Sequence, residues 1–185
     1  MVSQSKNMFH SNLIKQTNCR KIAITGAMAS GKSYFSKQFA IHKKCYYFSV
    51  DDFVSKIYPQ SPFDKKEIIS RLLSGGKVEQ QRIFSELSRY FIPLILSEIH
   101  NVCRKNIGKT IIFEVPTLFE SRMELLFDYI ILIDTPKFKR KWFAERRKQN
   151  IPLMKILESN QKPQEQKRHK SNLILKNAKA KSSNI

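Results

Sequence analysis

The sequence contains little cysteine and histidine, and neither residue type forms a recognisable site. Only three of its 185 residues are Cys and four are His. The cysteines are Cys19, Cys45 and Cys103, and no two of them have CxxC spacing. We therefore expect free thiols in a reducing compartment and no metal centre built from Cys and His. Catalysis has to come from other residue types.

Long hydrophobic runs are also missing. The longest apolar stretches, around residues 91–96 and 129–133, are far shorter than the roughly 18 residues that a membrane-spanning helix needs. The first 19 residues are polar and contain no apolar segment of the kind found in secretion signals. The sequence therefore predicts a cytoplasmic protein with no membrane partner.

Acidic residues are scarce, and the imbalance is greatest near the C-terminus. The chain has 34 Lys and Arg against 15 Asp and Glu, a net charge of +19. Residues 137–185 carry 15 basic and three acidic side chains, whereas residues 22–136 carry 15 and 12. This basic quarter is compatible with a nucleic-acid contact, with a lobe that neutralises the phosphates of ATP and a second anionic substrate, or with solvated surface. Charge alone does not choose among these alternatives.

Short apolar runs alternate with helical patterns along the chain. Runs such as IAIT, TIIF and YIILI are apolar at every position, which is typical of strands that are covered on both faces. The alternation predicts a parallel sheet between two layers of helices, a three-layer α/β fold. The five predicted strands are residues 21–25, 46–50, 110–114, 129–134 and 173–176.

Two helical patterns separate the second predicted strand from the third, although one crossover helix would suffice. We assign this excursion, about residues 58–107, to a helical substrate lobe above the carboxyl ends of the strands. The basic segment of about residues 137–165 is predicted to form a lid. The predicted helices are residues 32–41, 65–73, 79–103, 137–148 and 152–170.

The predicted domain covers residues 21–177. Residues 1–20 precede the first strand and are expected to be a disordered extension. Residues 178–185 are short and polar, so we expect a frayed basic tail.

A glycine-containing motif lies between the first predicted strand and the first predicted helix. Residues 26–33, GAMASGKS, match the GxxxxGK[ST] pattern of a phosphate-binding loop. In such a loop Gly26 and Gly31 let backbone amides turn towards the phosphates, and Lys32 reaches the transferred group. The hydroxyl of Ser33 is the expected magnesium ligand. The motif predicts an ATP·Mg²⁺ site made of Gly26, Ala27, Met28, Ala29, Ser30, Gly31, Lys32, Ser33 and Tyr34.

Two acidic residues, Asp51 and Asp52, follow the second predicted strand at the edge of the sheet that carries the phosphate loop. A carboxylate there can hold the magnesium shell or accept a proton from an attacking hydroxyl. Alternatively, one of the two caps a helix that begins at Phe53. For Asp51 both interpretations stay open.

Five motifs, in order, resemble the dephospho-coenzyme A kinase family. TGAMASGKS is similar to that family's TGGIGSGKS loop, and DDFVSKIY to its DADxxxRxxY element. RIFSELSRYFIPLI resembles a stretch ending in HPLI, FEVPTLFE resembles D-x-P-L-L-x-E, and Gln161 with SNLILKN resembles Gln followed by ADxxIxN. The resemblance spans about residues 21–177 and implies a P-loop NTPase fold with a five-stranded parallel sheet, a helical substrate lobe and a lid.

The resemblance also implies roles for individual residues. Asp52 falls on the family's catalytic Asp, and Lys56 on an Arg that contacts the substrate. The remaining matched positions are Glu114, Pro116 and Leu118, expected to bind substrate, and Asn177, expected to bind nucleotide.

The chain departs from the family pattern at four places. Lys56 replaces a forked Arg by a point charge, which is not a conservative change at a bidentate site. Ile92 stands where the family has His, Ala178 follows Asn177 where Gly is usual, and the family's final helix has no counterpart. These departures leave open the efficiency, the exact substrate and the possibility of an inactive homologue.

Three arginines, Arg140, Arg146 and Arg147, follow the fourth predicted strand, where related kinases carry lid arginines. A cation there stabilises the charge that spreads over the transferring phosphoryl group. Arg146 aligns best with the family and is predicted to be catalytic.

The sequence thus predicts an ATP- and Mg²⁺-dependent kinase that phosphorylates the ribose 3′-hydroxyl of dephospho-CoA. One alternative is another P-loop kinase of nucleosides or nucleotides, but the EVPTLFE run argues against it. The other is a nucleic-acid-binding P-loop NTPase that uses the basic quarter. Nucleic acid is the less favoured partner.

Overall fold

The computed structural model describes residues 18–177. Residues 1–17 of the expected extension and the expected tail, 178–185, lie outside this range. Across the described residues, no helix combines the length and the apolar character needed to cross a membrane.

Five parallel strands form one sheet, in the order β2-β3-β1-β4-β5. This confirms the predicted five-stranded parallel sheet. The strands, each within one residue of its predicted bounds, are β1 Arg20–Gly26, β2 Tyr46–Ser49, β3 Thr110–Glu114, β4 Tyr129–Asp134 and β5 Leu173–Lys176.

The central strand is β1, in which Ile22 lies opposite Ile112 of β3 and Tyr129 of β4. Strand β2 follows β1 in sequence but pairs with β3, so β3 lies between β1 and β2 in the sheet. Because these strands are parallel, all three end on the same side of the sheet. The segments that follow β1, β2 and β3 therefore meet at the carboxyl ends of the strands, where ligands bind in such folds.

Helices cover both faces of the sheet. The described helices are α1 Lys32–His42, α2 Val50–Ile57, α3 Lys65–Ser74, α4 Lys77–Lys105, α5 Lys137–Arg146, α6 Ile151–Ser159 and α7 Gln164–His169. The main core lies on one face, where α4 buries Ile95 and Ile99 in the same cluster as Phe113 of β3. On the other face, Ala40 of α1 packs with Ile24 and other strand residues. The predicted three-layer arrangement is confirmed.

The largest differences from the sequence prediction lie at the start of α2 and between α6 and α7. Strand β2 ends at Ser49, and α2 begins at Val50 rather than at Phe53, because the Ser49 hydroxyl caps the helix by accepting the Asp52 amide at 3.1 Å. The single helix predicted over 152–170 is two helices. Pro163 lies immediately before α7 and cannot donate the backbone hydrogen bond that a continuous helix requires.

Helix α6, in the segment predicted to form a lid, packs on the predicted substrate lobe. Ile68 and Leu72 of α3 form an apolar cluster with Ile83 of α4, and this cluster receives Leu153 and Ile156 of α6. The lid thus has its own apolar contact with α3 and α4.

Candidate active site

A cavity of about 980 Å³ opens at the carboxyl edge of the sheet. Its floor is the phosphate loop with the start of α1, and its walls are α2, α4, the segment after β3 and the lid. The topology therefore brings together segments that lie far apart in sequence.

The phosphate loop has the backbone geometry that its motif predicts. Gly26 approaches the Ile133 carbonyl so closely that a Cβ would lie 2.7 Å from that oxygen. Gly31 has a φ of 88° and precedes the first turn of α1, which has no side-chain cap. The first amides of α1 are therefore open to a ligand in the cavity, a favourable arrangement for phosphate.

Lys32 lies on the cavity wall and is 8% exposed. Burial lowers the pKa of its ammonium group, while the nearby carboxylates of Asp51 and Glu114 act in the opposite direction. The cations Lys167 and Arg147 also lower this pKa. An anion in the cavity would relieve this repulsion, so the electrostatics favour phosphate here.

Glu114, at the end of β3, is 1% exposed and occupied on both carboxylate oxygens. Oε1 accepts the Ser33 hydroxyl at 2.5 Å, and Oε2 accepts the Tyr47 phenol at 2.5 Å. Burial and the bond to Glu114 raise the pKa of Tyr47, so the phenol stays a donor. The structure thus places Glu114 beneath the phosphate loop, where it orients Ser33, and Glu114 is not part of the cavity wall.

The two neighbouring acids, Asp51 and Asp52, differ in position. Asp51 lies on the cavity wall and interacts with Lys32, whereas Asp52 is not part of the wall. Successive helix residues are about 100° apart, so the face of α2 that carries Asp51, Val54 and then Tyr58 turns away from Asp52.

Asp51 has a raised pKa. The residue is exposed to the open cavity, and partial desolvation of its carboxylate by surrounding atoms is the largest cause of the raised pKa. The Lys32 ammonium lowers the pKa, while Glu114 and Asp52 raise it further. Because Ser49 caps α2, the cap interpretation of Asp51 is wrong.

Besides Glu114, two of the expected substrate-binding residues lie off the cavity wall. Lys56 shares the exposed side of α2 with Asp52 and is not part of the cavity wall. Leu118 is fully buried in the main core and is not part of the cavity wall. Pro116, two residues earlier, does line the cavity, as does Ile92, one of the departures from the family pattern.

The three lid arginines have separate environments. Arg140 forms an ion pair with Glu158 and donates to the Thr135 carbonyl, which ties α5 to α6. Arg146, predicted to be catalytic, lies over the Trp142 ring with 4.6 Å from its guanidinium carbon to the ring centroid. Arg147 lines the cavity, whereas Arg146 does not.

Asn177 supports the phosphate loop from behind. Its Nδ2 donates to the Ser30 carbonyl at 3.2 Å, and its Oδ1 accepts from Lys139 at 3.1 Å. Thr135 donates to the same Ser30 carbonyl at 2.7 Å. Asn177 does not line the cavity, so in this structure its side chain contacts the phosphate loop and not the space in which a nucleotide would bind.

A buried ionic contact joins the segment after β3 to the last lid helix. The Lys167 ammonium is 2.8 Å from Glu120 Oε1, with side-chain exposures of 1% and 12%, and also donates to Gln161 at 3.1 Å. Glu120 Oε1 accepts the Lys162 amide as well. Nothing in the local sequence around Lys167 indicates a partner 47 positions away.

A sequence model of the dephospho-CoA kinase (CoaE) family matches residues 20–182. The chain belongs to this family. It is 26% identical over 172 residues to a dephospho-CoA kinase of Fusobacterium nucleatum, a match that covers 84% of this chain and 88% of the relative. The family assignment makes the chain an ATP-dependent kinase.

Solved structures agree with this fold. A Thermus thermophilus structure superposes with a TM-score of 0.68 at 18% identity, covering 88% of this chain and 91% of the other. A dephospho-CoA kinase from Campylobacter jejuni gives a TM-score of 0.54 at 21% identity, covering 88% and 90%. At these identities the likeness establishes the P-loop kinase fold alone.

Proposed function

We propose that the chain transfers the γ-phosphoryl group of ATP to the ribose 3′-hydroxyl of dephospho-CoA. The observation that carries the proposal is the shared cavity, in which Asp51 and Lys32 interact and which continues between α2 and α4. A base beside the phosphate-binding lysine suits the transfer of a phosphoryl group to a hydroxyl.

Asp51, rather than Asp52, is the base in this proposal. Its carboxylate faces the phosphate loop and its pKa is raised, which brings it closer to the pKa expected of a base that works near neutral pH. Glu114 is less suited, because its oxygens already accept hydrogen bonds from Ser33 and Tyr47. Asp51 therefore orients the acceptor hydroxyl and removes its proton.

The phosphate loop and the lid hold the nucleotide. Backbone amides at the start of α1 bind the phosphates, Lys32 contacts the transferred group, and Arg147 approaches it from the lid. The oxygen donors near the loop fit Mg²⁺, which prefers oxygen ligands and usually keeps several of its waters. Ser33 would hold the ion, which supplies charge neutralisation at the phosphate oxygens. No cluster of three Cys, His, Asp or Glu within residues 18–177 competes with this arrangement.

The far half of the cavity suits an elongated acceptor. Tyr58 and Phe91 stack with ring centroids 5.5 Å apart, and Ile92 and Ile95 extend this apolar wall along α4. Serine hydroxyls on the same helix, Ser85 and Ser88 among them, interrupt the apolar surface. Such a wall matches a substrate arm that alternates methylene groups with amides.

The test is an acceptor panel with Mg·ATP. Dephospho-CoA, adenosine, AMP and shikimate are incubated separately with the protein, and each product is examined for the mass of one added phosphate. We expect a product from dephospho-CoA whose phosphate a 3′-nucleotidase removes. Lys32→Ala protein purified in the same way controls for contaminating kinases, because losing this electrostatic contact costs ~10²-fold or more. Phosphorylation of another acceptor with none of dephospho-CoA would contradict the proposal.

A further inference from the structure

A tyrosine on the edge strand reaches the phosphate loop through one carboxylate. Tyr47 lies in β2, opposite Ile112 of β3, and its phenol donates to Glu114 at the end of β3. The Tyr47 ring packs in the apolar cluster beneath α1, with the Lys37 ammonium 5.9 Å from the ring centroid. Ring packing thus fixes the direction from which the phenol approaches Glu114.

The second oxygen of the same carboxylate controls the Ser33 hydroxyl. Because Ser33 donates its proton to Glu114, the oxygen lone pairs of Ser33 are free to point away from the carboxylate. That is the orientation a serine needs in order to ligate a cation in the cavity. A carboxylate held at one oxygen only can rotate about its side-chain torsions, whereas a carboxylate held at both cannot do so without losing a bond.

We propose that Tyr47 is a positioning residue for the phosphoryl-transfer reaction: its phenol fixes Glu114 so that Ser33 presents its oxygen to the magnesium of Mg·ATP. The inference rests on the proposed function only for its use of Mg·ATP and does not depend on the acceptor. The two hydrogen bonds connect Tyr47 in β2 to Glu114 in β3 and Glu114 to Ser33 in α1. They couple an edge strand to the expected magnesium ligand.

Neighbouring tyrosines provide a matched test. Tyr47→Phe removes only the hydroxyl and leaves the packed ring, while Tyr46→Phe makes the same change at a tyrosine that is 45% exposed. ATP affinity is measured by calorimetry for each protein, once with Mg²⁺ and once with EDTA. We expect Tyr47→Phe to reduce the Mg²⁺-dependent gain in ATP affinity by about 10-fold, as is typical when a residue behind a metal ligand is lost. The EDTA affinity, and both affinities of Tyr46→Phe, should stay at wild-type values.

A double variant separates positioning from general damage to the fold. Tyr47→Phe should add little to Glu114→Gln, because the phenol acts through that carboxylate. Thermal unfolding of all variants checks that they remain folded. A wild-type Mg²⁺ dependence in Tyr47→Phe, or equal losses with and without Mg²⁺, would overturn the proposal. Since no acceptor is present in these titrations, they stand even if dephospho-CoA proves not to be the substrate.

Discussion

At the scale of single residues, the choice between Asp51 and Asp52 decides the chemistry. Asp51→Asn should lower kcat by about 10²-fold to 10⁴-fold, the usual contribution of a positioned base, with little change in ATP affinity. Asp52→Asn is the matched control and should retain most activity, because its side chain is not on the cavity wall. Single-turnover rates and ATP titrations measure both quantities. A larger loss in Asp52→Asn would return the role to the residue that the sequence first indicated.

The raised pKa of Asp51 also predicts a pH profile. The base must be ionised to accept a proton, so kcat/KM for the acceptor should fall as the pH is lowered through the Asp51 pKa. Because that pKa is raised from the ordinary value of aspartate, the decline should begin at a higher pH than for an unperturbed carboxyl group. When kcat/KM is measured between pH 4 and pH 9, the Asp51→Asn variant should not show this decline at low pH. If the variant keeps the decline at low pH, the decline is caused by the titration of another group.

The sequence predicted the phosphate loop correctly because that motif is defined by backbone geometry and local spacing, which Gly26 and Gly31 carry themselves. It did not distinguish Asp51 from Asp52 or Arg147 from Arg146. Each pair differs by one residue, about 100° of helix rotation, and the rotation depends on where the helix starts and what it packs against. The Ser49 cap fixed the rotation of α2. The burial of Leu118 could not be predicted, because a motif gives no direction for side chains in the segment that follows a strand.

At the scale of elements, the end of α5 separates two neighbouring arginines, because Arg146 is its last residue and Arg147 follows it. Arg147→Ala should reduce kcat by roughly 10²-fold, since a cation that faces the cavity stabilises charge in the transition state. Arg146→Ala should have little effect on kcat, because that guanidinium lies over Trp142. Steady-state kinetics at saturating ATP compares the two directly. An equal loss of kcat in both variants would contradict this prediction, because it would require Arg146 to reach the cavity as well.

The strands of the fold can be predicted from the sequence, whereas the contacts between elements cannot. Apolar runs such as residues 129–134 predict buried parallel strands because nothing else tolerates so continuous an apolar pattern in so short a segment. Contacts such as Tyr47 with Glu114 join residues 67 positions apart. They depend on strand order, which the alternation of strands and helices does not specify.

At the scale of the whole molecule, the buried pair Lys167 and Glu120 joins the last lid helix to the segment after β3. Lys167→Met should lower the free energy of unfolding by about 3 kcal/mol, because it leaves a largely buried carboxylate without its counter-ion. Arg82→Met breaks an exposed ion pair with Glu86 and should change the free energy of unfolding by less than about 0.5 kcal/mol. Urea denaturation measures both changes. Similar effects in the two variants would show that burial adds nothing to the Lys167 contact.

The apolar contact of α6 with α3 and α4 has a thermodynamic consequence. Since Leu153 and Ile156 pack on the lobe that forms the acceptor wall, the lid cannot move far from that lobe without exposing apolar surface. We expect binding of the acceptor to raise ATP affinity by at least about 5-fold, and Leu153→Ala to reduce this coupling. Calorimetric titration of a non-hydrolysable ATP analogue, with and without the acceptor, measures the effect. Independent binding of the two ligands would mean that lid and lobe move separately. Where coupling is found, reciprocity requires ATP to tighten binding of the acceptor by the same factor, so the order in which the two substrates bind would not change the final occupancy of the ternary complex.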